Sequence, residues 1–111
     1  MKNAIHYQHT PSKIRYLIRR AETNDKTFTF DKFLMDTGIP RLVMSAYIDG
    51  TQIPNYNCAS LISKYFNVSP DWLLRSEPEL QIALINGEEE LDEKKIDDIL
   101  DYSIKVFKTY E

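Results

Sequence analysis

The chain has 111 residues, 42% of them hydrophobic, with a formal net charge of −3 and one cysteine. That length holds one domain of ordinary size or a small domain with an appendage, and that apolar content fills a core, which excludes wholesale disorder. No apolar run of roughly 18 residues or more is present, which excludes a spanning helix, and a lone cysteine excludes an internal disulfide or a thiolate metal site.

The charge is uneven along the chain. Residues 1–79 hold ten basic and eight acidic side chains, whereas residues 80–111 hold four basic and nine acidic ones. A mildly basic body with an acidic tail is compatible with a nucleic-acid-binding face and a separate assembly segment. Only three glycines are present, which disfavours a turn-rich all-β fold and fits a helical one. The polar opening, MKNAIHYQHTPSK, has no apolar signal region, so a cytoplasmic location is expected, in keeping with the lone thiol.

Residues 1–10 read as a flexible arm. Thr10-Pro11 has the form of a helix start, with a capping hydroxyl before a proline, and Ile14, Leu17, Ile18 and Ala21 follow at helical spacing, so a first helix is expected over about 11–22. The polar stretch from Glu22 to Thr27 reads as a loop. A second helix begins near Thr29, shows Phe30, Phe33 and Leu34 on one side, and stops at Gly38. A third is expected over 40–48, opened by Pro40 and closed by Asp49-Gly50. After Pro54, a fourth over about 55–66 is expected to bury Cys58, Leu61, Ile62, Tyr65 and Phe66. Ser69-Pro70 caps a short fifth, Asp71 to Arg75, and Pro78 marks a boundary. Leu80, Ile82 and Leu84 then alternate with Gln81 and Ala83, which predicts a short strand. From Asp92 to Tyr110, apolar residues recur at Ile96, Ile99, Leu100, Phe107 and Tyr110, with Ser103 in the same stripe, behind the acids Glu88 to Glu90 that suit a helix start, and this predicts a C-terminal amphipathic helix.

Two helices joined by a tight glycine-containing turn, inside a set of five short helices, can present the second to a major groove. Two segments carry this pattern in order: Thr37-Gly38-Ile39-Pro40-Arg41-Leu42-Val43-Met44-Ser45-Ala46-Tyr47-Ile48-Asp49-Gly50, and Leu61-Ile62-Ser63-Lys64-Tyr65-Phe66-Asn67-Val68-Ser69-Pro70-Asp71-Trp72-Leu73-Leu74. Over residues 11–77 the chain resembles the lambda-repressor-like helix-turn-helix family, the Cro and Xre-type regulators of phages and bacteria. The resemblance implies an all-α fold: a five-helix DNA-binding domain, followed over 78–111 by the short strand and the amphipathic helix.

It also implies that 40–48 is a recognition helix. Arg41, Leu42, Ala46 and Gln52 then fall where family members touch base edges; Arg41 suits the two acceptors of a guanine, and Leu42 and Ala46 suit thymine methyls. Phosphate contacts are expected from the amides near Phe30 and from Thr51 and Asn55, with Lys13 and Arg19 adding charge at the flank. The chain departs from the family in having Phe30 where a glutamine is usual, Leu34 in place of a small alanine, and a longer loop after the first helix. A buried arginine–glutamate pair of the family corresponds to Ile18 and Ile48, an exchange that a packed core tolerates when both partners change, so these two are expected to meet in the core.

Other side chains read more simply. His6 and His9 lie in the expected arm and form no metal site. Cys58 lacks a paired histidine and aspartate, so a buried structural thiol is expected. The acids 88–93 lack the spacing and glycine of a calcium loop. No cofactor and no catalytic activity are expected. The first functional reading is a sequence-specific transcriptional regulator binding double-stranded DNA as a homodimer, with Leu80, Ile82, Leu84, Ile96, Ile99, Leu100 and Phe107 between subunits. The alternative is the same fold used as a protein-interaction module with little or no DNA binding, since a face of Arg41, Leu42, Ser45 and Ala46 has few hydrogen-bonding groups. Packing of the last helix on its own domain is the alternative to dimerisation.

Overall fold

The computed structural model describes residues 9–75 and 93–109, and these hold six helices: α1 (Thr10–Asn24), α2 (Phe30–Thr37), α3 (Arg41–Asp49), α4 (Tyr56–Phe66), α5 (Pro70–Leu74) and α6 (Glu93–Thr109). The described part is all-helical, as expected. The strand expected around Leu80, Ile82 and Leu84 lies outside the described residues.

Local chemistry fixes most helix ends. Thr29 Oγ1 accepts the Lys32 N–H at 3.1 Å, Asn55 Oδ1 accepts Cys58 N–H at 2.8 Å, and Ser69 Oγ accepts Asp71 N–H at 3.1 Å. Each satisfies an amide that the helix itself leaves unpaired, and each is worth about 1 kcal/mol. Gly38 and Gly50 close α2 and α3 in the left-handed region at φ +74° and +85°, and Asn67 closes α4 at φ +60°. At α1 the expectation fails in detail. His9, not Thr10, is the capping position, and its side chain makes no cap bond. Thr10 is already helical and fully buried, and its hydroxyl donates to the Leu73 carbonyl at 2.9 Å. His9 is buried as well, so two residues expected in the arm, His9 and Thr10, belong to the packed structure. The helix also runs to Asn24, past the expected end, and Asp25 then receives the Thr27 N–H and O–H in a tight turn.

Packing follows the apolar stripes. Helix α1 lies against α3, α5 and α6, and α4 lies against α2 and α5. Ile14, Leu17, Phe33, Met44, Ile62, Trp72, Leu73 and Leu100 fill the centre. Phe28, Phe33, Tyr65 and Phe66 form an aromatic cluster that ties α2 to α4, with Phe33 5.0 Å from Tyr65 and 5.1 Å from Phe66 between ring centroids. Tilted pairs at such spacing add to what their buried area contributes. Leu61, expected in this core, is 44% exposed. The inward side of α4 is Ala59, Ile62 and Ser63, and Leu61 sits about 100° round the helix from Ile62. Ile18 and Ile48 are both half-buried against the core, on two helices that pack together.

Helix α6 turns inward. Leu100, Ser103 and Ile104 are buried, and Ile96, Ile99 and Phe107 pack against the core. Leu100, expected between subunits, is buried within the chain itself, while Ile96, Ile99 and Phe107 pack against the same core and keep part of their surface exposed. The physical reason is the indole of Trp72: α6 covers it, and Nε1 donates to Ser103 Oγ at 2.9 Å, so the position that broke the apolar repeat is the one that satisfies a buried donor. Two further ties hold α6 to α1. Arg19 pairs with Asp97, and the Tyr16 hydroxyl donates to Asp101 while accepting from Arg20 Nη1 at 2.9 Å. Burial, then the bond to Asp101, push the Tyr16 hydroxyl up to about 12 against the opposing pull of Arg20.

Candidate nucleic-acid interface

Helices α2 and α3 are joined by Gly38, Ile39 and Pro40. The turn is built from its own residues. Gly38 supplies the left-handed backbone, Thr37 Oγ1 donates to the Phe33 carbonyl at 2.9 Å and accepts Ile39 N–H at 3.4 Å, and Ile39 is buried as an apolar plug. Pro40, with φ fixed at −60°, takes the capping position of α3, so the helix begins at Arg41, one residue later than expected. Met44 and Tyr47 point into the core and set which side of α3 faces out. Tyr47 also bonds Cys58 on α4, which with burial pushes its hydroxyl up to about 12.

On the outer side stand Arg41 and Leu42, the latter 85% exposed, with Ser45 and Ala46 half-buried beside them. The far end is organised by one acceptor: the Ala46 carbonyl receives the Gly50 and Thr51 N–H groups, both at 3.0 Å, and the Thr51 hydroxyl at 3.3 Å. Thr51 and Gln52 are exposed beside the end of α3 as a result. Gly50 is needed here because its φ is positive, in the left-handed region that side chains rarely adopt. Arg15 fastens the same corner from α1, donating to the Ile48 carbonyl at the negative end of α3 and to Ser12.

The expected base-contact residues therefore share one accessible region: Arg41 and Leu42 at the start of α3, Ala46 on its outer side, Gln52 just beyond its end. Of the phosphate group, Thr51 and Asn55 are exposed, although the Asn55 amide oxygen is committed to Cys58 N–H; Phe30 is half-buried at the start of α2. The two flank residues, Lys13 and Arg19, are engaged within the chain. Lys13 is fully buried, its ammonium donating to the carbonyls of Trp72 at 2.6 Å and Arg75 at 2.9 Å and lying 4.7 Å from the Trp72 ring centroid. It caps the C-terminal end of α5, where unpaired carbonyls and the helix dipole favour a cation, and it cannot reach a phosphate. Arg19 is turned to α6 and neutralised by Asp97.

Asp31, in the first turn of α2, pairs with Arg41, whose guanidinium lies 5.4 Å from the Phe30 ring centroid. Asp31 went unnoticed in the sequence because the pair spans ten positions across a turn. Helices α2 and α3 together carry Asp31, Lys32, Asp36, Arg41 and Asp49, so this face is close to neutral rather than basic. Met35 on α2 adds a second large apolar side chain, 78% exposed. No family model, no curated protein and no solved structure matches the chain.

Proposed function

We propose that the protein is a DNA-binding regulator of helix-turn-helix type, with α1 to α5 as a lambda-repressor-like domain and α3 as the helix that enters the major groove. The observation that carries this reading is the accessibility of α3: α6 docks on α1 and over Trp72, and among the described residues none covers the side of α3 bearing Arg41 and Leu42. An exposed leucine beside an arginine at the start of a helix matches an apolar thymine methyl and the two acceptors, O6 and N7, of a guanine edge. Selection of bound sequences from random duplex DNA tests the reading. Enrichment of a motif by the full chain, lost in Arg41→Ala, is the expected result, with the variant weaker by about 1–3 kcal/mol on the enriched duplex. A palindromic motif would point to two-fold assembly, with contacts other than the inward face of α6. No enrichment at low salt overturns the reading.

A second reading is favoured by a different observation. Leu42 and Met35 are exposed on a nearly neutral face, which suits a protein surface better than a phosphate backbone. Binding that barely responds to salt belongs to this interaction-module reading, whereas binding through several phosphates weakens steeply as salt rises.

A further inference from the structure

We infer that Asp31 is a positioning and specificity-determining residue for the α3 surface: it holds the Arg41 guanidinium beside the Phe30 ring and cancels its charge, directing it to the neutral acceptors of a base edge and away from backbone phosphates. The inference rests on the DNA-binding reading above. Three observations support it. First, the Asp31–Arg41 pair is open to solvent, with side-chain exposures of 79% and 60%, so it contributes little to folding and is not explained by packing. Second, the pair joins one carboxylate oxygen, Asp31 Oδ1, to one nitrogen, Arg41 Nη2. A guanidinium carries five N–H donors in a fixed fork, so donors remain for O6 and N7 of a guanine while the carboxylate stays in place.

Third, Asp31 occupies the first turn of α2, where a phosphate would have to approach the amides near Phe30. A fixed negative charge there repels a second anion, and Thr29 already satisfies the Lys32 N–H. One amide at the start of α2 is thus taken by a capping side chain, and a carboxylate stands beside the others and disfavours a phosphate there. The same carboxylate prevents Arg41 from acting as a loose cation that adheres to any duplex.

The test compares the full-length wild type with Asp31→Asn, Asp31→Glu and Arg41→Ala, each checked for unchanged thermal unfolding. The probes are the duplex most enriched from a random pool by the wild type and a shuffled duplex of the same composition, titrated over a range of salt. Asp31→Asn is expected to bind the shuffled duplex about two- to fivefold tighter, the range of a surface charge interaction. Its salt dependence should steepen by about one ion. The ratio of enriched to shuffled affinity falls accordingly, and Asp31→Glu restores it. An unchanged ratio in Asp31→Asn, with wild-type binding intact, overturns the role of Asp31 and leaves the DNA reading standing. Absence of wild-type binding to either duplex at low salt overturns both.

Discussion

Two regions of this molecule are built by opposite means. Where α1, α5 and α6 meet, polar groups from distant parts of the chain are driven into the core and each finds a partner there: Lys13 on the end of α5, Thr10 on Leu73, Trp72 on Ser103. Across the α2–α3 face, the turn is built from neighbours in sequence, and the large side chains Leu42 and Met35 are left in water. Buried polar ties are expensive to leave half-made, so changes in the first region should be felt as lost stability. Exposed groups carry no such penalty, so the second is where a protein can vary what it binds.

Substitutions sharpen that contrast. Leu100→Ala, in the fully buried face of α6, should lower unfolding free energy by about 2–5 kcal/mol in denaturant titration, because a cavity opens beneath the helix. Lys13→Met keeps the volume but leaves the Trp72 and Arg75 carbonyls without this donor, at a cost of about 1–3 kcal/mol, and the change in environment should appear in Trp72 fluorescence. Alkaline titration reads the same region. The Tyr16 hydroxyl is held protonated up to about 12 in the fold against 10.0 ordinarily, so its contribution is complete below pH 10 and is lost as pH rises toward 12. The loss should be on the order of 1–2 kcal/mol, discounted for solvent near the hydroxyl. Tyr47, shifted in the same sense, adds to the decline, so Tyr16→Phe flattens the curve only in part. Leu42→Ser should move stability by less than about 0.5 kcal/mol, with any effect confined to ligand binding. A large stability loss from Leu42→Ser would break the comparison.

The helices themselves were legible because their signals are local. Caps at Thr29, Asn55 and Ser69 and left-handed ends at Gly38 and Gly50 depend on residues within a turn of one another. The outward side of α3, expected from the family resemblance, agrees with Met44 and Tyr47 facing inward. What failed depends on tertiary partners. A lysine at position 13 reads as solvated until one knows that the carbonyls of a short helix lie above it. The stripe of α6 could serve a second subunit or its own domain, and its packing around Trp72 cannot be read from spacing alone. The serine at 103 was the hint: a polar residue in an apolar stripe implies a specific buried donor opposite.

The bond between Ser103 and Trp72 also bears on synthesis. A chain emerging from its N-terminal side completes α1 to α5 while one edge of the indole still lacks its partner, and the tie closing it spans 31 positions. The Tyr16–Asp101 tie spans 85. Long closures of this kind are entropically costly and form late, so a nascent or prematurely terminated chain lacking α6 would expose an edge of Trp72 and be a natural target for chaperones or proteases.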